Sequence, residues 1–366
     1  MSLAEYLSTP SGRRLVLRKA VGSRGIKQLE FYVEKSKEYF SDLPTVYTQG
    51  LHRLIKQDRE PQRTLAVFEE AYKDFPELAL DSNKINPVKQ RLSDVEELRV
   101  RVNNLLSSDF ISNTGFIFLA LCEGALQYNG TPVTEEIKRN LLYGHMIAID
   151  LSEGMDRAID QDEDLEFLND YRLMNPYILK LGQEMIGAVD QSVYQSFENG
   201  FNRALKAQSL DRRAKKDPRF VDHEKMNRIY DKYRAVIGTA GRNMAFNRGP
   251  IAEIYDLGMA KAAEAGGCTD ELIDSLKVNS FENPSWPLFF ALQAGDPRKA
   301  FELTLEKGRV YLNEARIALE MIPRDFPITP FIDSLFLVLG HKMGHAFNTT
   351  VREISFSSLE EQLQKI

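Results

Sequence analysis

The chain is poor in cysteine and in features that anchor a protein in a membrane. Its 366 residues include two cysteines, Cys122 and Cys268, each in an apolar stretch with helical spacing. Two thiols so far apart are typical of reduced core residues and not of a disulfide framework, which favours an intracellular protein. No apolar run reaches the roughly eighteen residues that a bilayer requires, so the sequence predicts no membrane-spanning helix.

Strand signals are also scarce. The pair Asn129-Gly130 is a common hairpin signal, but no alternating apolar runs flank it convincingly. Apolar residues instead recur at three- and four-residue spacing between breaks at proline, glycine and asparagine. This pattern predicts an all-α protein, and no internal repeat of fixed period is present.

Motifs for catalysis are missing as well. Gly238–Arg242 carries two glycines, but it follows no predicted strand and lacks the Gly-Lys-Ser/Thr ending of a phosphate-binding loop. Serine and cysteine nucleophile motifs are absent. His341 and His345 are spaced like metal ligands on one helix face, but Lys342 stands where zinc peptidases need a glutamate. The sequence therefore predicts no catalytic residue, no metal and no cofactor.

A helical metal-dependent enzyme stays open as an alternative, built on those two histidines or on Asp160–Asp170, the second half of the acidic run Asp150–Asp170. This run holds nine acids against one basic residue, Arg157. The spacing of Asp160 and the acids after it lacks the glycine and the closing glutamate of a calcium loop. A solvated or partner-facing segment is therefore the favoured interpretation.

What the chain does contain is a basic block between Arg203 and Arg248. Thirteen basic and five acidic residues give this block a charge of +8, in a chain whose formal net charge is −6. Such a block suits the binding of a polyanion. Within it, Lys225, Arg228 and Lys232 follow three- and four-residue steps, so they share one face of a predicted helix that a phosphate backbone can follow.

The basic block also marks the predicted boundary between two halves. Asp217-Pro218-Arg219 is the predicted hinge, because the residue before proline resists the helical conformation. The predicted architecture is two helical lobes with a basic cleft between them and extended arms at both ends. The divisions are a basic N-terminal arm, an N-terminal lobe, a C-terminal lobe and a C-terminal arm, at 1–25, 26–217, 218–347 and 348–366. An organellar transit peptide is an alternative interpretation of the first arm.

Capping and glycine signals predict three local breaks. Ser93, with a glutamate three residues later, predicts a capping box at a helix start. The glycines at 238, 241 and 249 predict a loop around Arg242 and Arg248. Gly266-Gly267 predicts the end of one helix, with a new helix directly after it.

The second half of the chain resembles a viral protein family. Asn247–Ile254 (NRGPIAEI) and Ala263–Gly266 (AEAG) are similar to the start of the C-terminal lobe in nucleoproteins of non-segmented negative-strand RNA viruses. Ser275–Gly295 (SLKVNSFENPSWPLFFALQAG) resembles a segment there in which an Asn/Ser turn and a proline lead into a short apolar helix. The resemblance implies two lobes that clamp single-stranded RNA in a basic cleft. It also implies terminal arms that latch onto neighbouring protomers in a helical or ring-like polymer.

The combined prediction is a nucleoprotein, not an enzyme, that coats single-stranded RNA without sequence preference. The resemblance further implies homo-oligomers formed through the arms, and a viral polymerase or phosphoprotein-like cofactor as partner. It places the protein in the virion nucleocapsid and in the host cytoplasm or nucleus, with no membrane partner. A helical protein-interaction scaffold stays open as a third class. The residues expected to contact RNA phosphates are Lys206, Arg212, Arg213, Lys215, Lys216, Arg228, Lys232, Arg242, Arg248, Arg298 and Lys299.

Overall fold

The structure, a computed structural model, describes residues 23–106, 109–130, 132–160, 164–217, 222–282, 284–324 and 326–365. Throughout these ranges the chain is all-α, as predicted, and no β-strand occurs in them. A 3-10 turn lies at Pro76–Leu78 and a π-helix at Arg234–Gly238. The α-helices, in chain order, are α1 Ser23–Tyr39, α2 Leu43–Gln57, α3 Pro61–Ala71, α4 Ser82–Leu92, α5 Val95–Leu106, α6 Asp109–Asn129, α7 Glu135–Asp160, α8 Leu165–Gly187, α9 Gln191–Lys216, α10 His223–Tyr233, α11 Thr239–Met244, α12 Gly249–Val278, α13 Trp286–Ala294, α14 Pro297–Leu319, α15 Thr329–Glu353 and α16 Phe356–Lys365.

The described helices divide into two compact units. Unit 1 contains Phe31–Cys122 and Thr131–Tyr194. Unit 2 contains residues 23–30, Glu123–Gly130 and Gln195–Ile366. Unit 2 is therefore assembled from three separate stretches of the chain. Pro218 and Arg219 of the predicted hinge, and residues 1–22 of the predicted N-terminal arm, lie outside the described residues.

The core of unit 1 is rich in tyrosine, and several of the tyrosine hydroxyls are paired with carboxylates. Tyr47 is fully buried, and its hydroxyl donates to Oδ2 of Asp150 at 2.7 Å. The Tyr177 hydroxyl donates to Oδ2 of Asp58 at 2.8 Å. A buried hydroxyl without a partner costs free energy, so these bonds select the way in which the helices of unit 1 pack.

The two ends of the acidic run are structural and not solvated. Asp170 at the run's end is fully buried on α8 and accepts hydrogen bonds from Nε of Arg101, at 2.8 Å, and from Arg91. Asp150 at the start is also buried. The expectation of a solvated segment is wrong at these positions, because partners far away in the sequence reach both carboxylates. Residues 161–163 of the run lie outside the described residues.

Unit 2 packs around the long helix α12 in two apolar clusters. In the first, Tyr230, Trp286 and Tyr311 bring rings from α10, α13 and α14 against Cys268 of α12. The second contains Leu272 of α12 together with Phe301 of α14, Ile354 directly after α15 and Leu359 of α16. Each fully buried apolar side chain contributes roughly 1.5–3 kcal/mol to stability. Both cysteines are buried and free, which confirms their prediction as reduced core residues.

Three glycines at the predicted breaks, Gly238, Gly241 and Gly267, allow close helix packing and do not end helices. α12 continues through Gly266 and Gly267. A Cβ on Gly267 would lie 2.7 Å from Cε2 and Cζ of the Tyr233 ring, so glycine at this position allows the ring to pack closely on the helix. Gly238 and Gly241 likewise bring the π-helix and α11 close to α12. The predicted helix end at Gly266-Gly267 and the predicted loop at Gly238 and Gly241 are therefore both wrong. Of the glycines at these predicted breaks, only Gly249 has a positive φ, of 67°.

The start of α5 also differs from expectation. Oδ1 of Asp94 accepts from the backbone N–H of Glu96 at 2.8 Å, so Asp94 and not Ser93 caps α5. The Ser93 hydroxyl instead donates back to the Lys89 carbonyl at 2.7 Å. The segment 348–366, predicted as a C-terminal arm that ends in a charged helix, contains the end of α15 and then α16. α16 packs on unit 2 because its apolar residue Leu359 is fully buried there.

Candidate nucleic-acid interface

All eleven predicted RNA contacts fall within unit 2. α9 and α10 lie side by side there and join the two parts of the basic block. Nη2 of Arg203 lies 2.6 Å from Oδ1 of Asp231, and Nζ of Lys232 donates to Oδ2 of Asp211 at 2.7 Å. The Arg203–Asp231 pair is partly exposed and contributes only about 0–1 kcal/mol. Asp211 is buried, so its carboxylate depends on Lys232 as a partner.

Acids neutralise most of the predicted cationic row on α10. Lys225 lies 3.2 Å from Asp222, whose side chain caps the helix by accepting from the Lys225 backbone N–H. Lys232 is held by Asp211. Arg228 alone of the three is exposed and has no acidic partner in the described part of the chain. A row of three available charges is therefore not present on this helix.

The exposed basic residues without acidic partners are instead distributed over α9 and α10. Lys206 and Arg213 lie seven residues apart on α9, so they project from one face, and both are exposed. Neither forms an ion pair with any described residue, and together with Arg228 they leave three uncompensated cations. Of the other predicted contacts on α9, Arg212 is half-buried and Lys215 is exposed, while the side chain of Lys216 lies outside the described part of the structure.

Arg242 and Arg248 flank a strained turn between α11 and α12. Phe246 and Asn247 have φ values of 57° and 52°, which cost non-glycine residues roughly 1 kcal/mol or more each. Nε of Arg242 donates to Oδ1 of Asn247 at 2.5 Å, and its Nη1 lies 3.5 Å from Oδ2 of Asp256. Arg242 therefore braces the turn. Arg248 is exposed at the N-cap of α12, where positive charge from the first N–H groups adds to its own.

A partly buried glutamate, Glu271, lies on α12 near the basic block. Oε2 of Glu271 on α12 accepts from the backbone N–H of Trp286 at 3.0 Å and so fastens the start of α13. Burial raises the pKa of Glu271 to about 8, while the Tyr230 hydroxyl, the Trp286 N–H and the charge of Lys232 partly oppose this rise. Burial also raises the pKa of Tyr230 well above its ordinary range.

The two contacts predicted after the Ala294-Gly295 turn lie at the start of α14. Lys299 is 3.1 Å from Glu302. Arg298 is exposed, and its guanidinium carbon lies 4.8 Å from the centre of the Phe356 ring on α16. Arg298 therefore faces the C-terminal helix and carries no compensating acid within the described residues.

Sequence reasoning missed a second surface in unit 2, where three arginines and the acids Glu320 and Asp333 line a groove. A groove of about 940 Å³ lies between α14 and α15 and is lined by Arg309, Arg316, Arg324 and His341. Apolar side chains form part of its wall, and Glu320 lies 3.7 Å from Arg316. The seven-residue spacing of the two arginines on α14 was the available signal, but a groove requires a second helix that the spacing does not reveal.

The proposed metal ligands do not form a metal site within the described residues. No group of three or more His, Cys, Asp and Glu side chains is arranged to hold an ion there. His341 and His345 are exposed on α15, and Asp150 and Asp170 bind tyrosine and arginine side chains of unit 1.

Among the described helices, none is long and apolar enough to cross a membrane. No protein-family model matches the chain, and no curated protein matches it either.

Proposed function

We propose that this protein binds single-stranded RNA without sequence preference and assembles along it as a viral nucleoprotein. In this proposal it acts in the virion nucleocapsid and in the host cytoplasm or nucleus, with a viral polymerase or phosphoprotein-like cofactor as partner. The observation that carries the proposal is the set of three exposed cations without acidic partners, Lys206, Arg213 and Arg228, on paired helices. The resemblance of Asn247–Ile254 to viral nucleoproteins supports it.

The charge of these cations suits a phosphate backbone. A single strand carries one charge per nucleotide, and each contact with an arginine or lysine releases a counterion. No sheet with exposed aromatic residues, which reads bases in common RNA-binding modules, occurs among the described residues. Binding through phosphates alone is indifferent to base identity, as a coat protein requires.

The triple variant Lys206→Ala/Arg213→Ala/Arg228→Ala tests the interface. We expect its affinity for a fluorescent single-stranded RNA to fall at least about tenfold at low salt, with the slope of log K against log salt reduced by about 2. Lys56→Ala/Arg59→Ala/Lys84→Ala removes the same charge from exposed positions of unit 1 and is the matched control. Equal losses in the two triple variants, or no binding by the wild type, would refute the proposed interface.

Polymer formation is tested separately by electron microscopy of the purified protein. Rings or coils that disappear after nuclease treatment are expected if RNA organises the protomers. A monomer free of RNA would instead favour a helical protein-interaction scaffold. The arginine-lined groove between α14 and α15 is the observation that favours this second candidate, because it combines positive charge with apolar wall residues.

A further inference from the structure

Three serine hydroxyls converge at the start of α16. Oγ of Ser355 lies 3.1 Å from Oγ of Ser357 and 3.1 Å from Oγ of Ser358. Asn279, which ends α12, holds two of these serines: its Oδ1 accepts from the Ser355 N–H at 2.9 Å, and its Nδ2 donates to Oγ of Ser358 at 3.3 Å. Ser357 is exposed and has no bond to Asn279, so its hydroxyl is the accessible one.

Two exposed carboxylates follow Ser357. Glu360 and Glu361 stand three and four residues after it, and neither forms an ion pair with a described residue. Acid-directed serine kinases select a hydroxyl that is followed at this distance by a carboxylate, which their basic substrate groove binds. The sequence around Ser357 therefore has the charge pattern of such a substrate.

We propose that Ser357 is a phosphorylation site and that Arg298 receives the phosphate. The Arg298 guanidinium lies over the ring of Phe356, the residue directly before Ser357, at 4.8 Å. It is exposed and has no acidic partner among the described residues, so it is available for a bidentate contact with a phosphate. The phosphate would also lie in the first turn of α16, where the helix dipole favours negative charge.

The reaction needs ATP and a kinase that supplies the catalytic base. The Ser357 oxygen attacks the γ-phosphorus, a new O–P bond forms, and the bond from that phosphorus to the ADP oxygen breaks. The hydroxyl proton passes to the base of the kinase. The kinase gains access when α16 detaches transiently from Phe301 and its neighbours, because a helix of 10 residues with one buried residue, Leu359, opens at low free-energy cost.

Phosphorylation at Ser357 would change what Arg298 contacts. Arg298 is one of the predicted RNA contacts, and a phosphoserine beside it would compete with RNA for the same guanidinium. The modification itself does not depend on RNA binding, so it is tested without RNA.

The experiment treats the full chain with an acid-directed serine kinase and ATP. We expect a mass gain of one phosphoryl group, mapped to Ser357, that is absent in Ser357→Ala, retained in Ser358→Ala and several-fold slower in Glu360→Gln/Glu361→Gln. In ³¹P NMR titrations the phosphoserine pKa should fall below its ordinary value of about 6. It should return toward that value in Arg298→Ala but not in Lys299→Ala, whose side chain is held by Glu302.

Three results would overturn the proposal. The first is a folded wild-type protein that takes up no phosphate, and the second is modification that maps to another residue. The third is a phosphoserine pKa that Arg298→Ala leaves unchanged, which would remove Arg298 as the acceptor. Circular dichroism of each variant confirms that its helices are intact, so that loss of phosphorylation is not caused by unfolding.

Discussion

At the scale of single residues, two glycines inside helices have opposite environments. Gly200 lies on α9 where a Cβ would be 2.6 Å from the carbonyl oxygen of Ala235 and 2.5 Å from Oγ1 of Thr239. A Cβ on Gly266 of α12 would meet no atom within 4 Å. The first glycine is required by the contact between α9 and the π-helix, whereas the second only weakens its helix.

Alanine at these two positions should therefore have opposite effects on stability. Gly200→Ala should lower the free energy of unfolding by about 1–3 kcal/mol, because backbone at Ala235 has to move. Gly266→Ala should raise it by about 0.5–1 kcal/mol through helix propensity. Urea unfolding followed by circular dichroism measures both variants, and a stable Gly200→Ala protein would contradict the close approach of α9 to the π-helix.

At the scale of elements, Glu271 links α12 to the start of α13 through the Trp286 N–H. Its pKa of about 8 in the folded protein lies above its ordinary value of about 4.5. The folded state therefore binds a proton between these values that the unfolded state has already released. The stability linked to this proton is full below pH 4.5 and is lost as the pH rises towards 8.

Glu271→Gln should flatten this dependence. The amide retains an acceptor for Trp286 and removes the charge. When the pH rises from 5 to 8.5, the free energy of unfolding should therefore fall by on the order of 1–3 kcal/mol less in the variant than in the wild type. Urea unfolding at both pH values measures the difference. Glu253→Gln, on the exposed side of the same helix, controls for the loss of one carboxylate, and an equal gain there would contradict a specific role for Glu271.

At the scale of the whole molecule, the sequence predicts the all-α class because the three- and four-residue spacing of apolar residues is sufficient to predict helices. Helix ends are less predictable, because a glycine can either end a helix or allow close packing within one. Gly267 lies inside α12 and packs against Tyr233. The basic block is visible in the sequence, but the sequence does not show which of its basic residues are neutralised by acids in the folded chain. Asp211 and Lys232 are 21 residues apart, and only the folded chain shows that they neutralise each other.

The three-segment origin of unit 2 limits how this protein can be dissected. Residues of Glu123–Gly130 pack against other residues of that unit. Gly124 lies against Tyr255, and the Tyr128 ring is 5.1 Å from the Phe326 ring. A recombinant fragment that starts at Gln195 would lack this strip and would expose apolar rings to water. Truncation at a single site therefore cannot yield two self-sufficient halves, and an isolated C-terminal product needs the 123–130 peptide grafted on or added in trans.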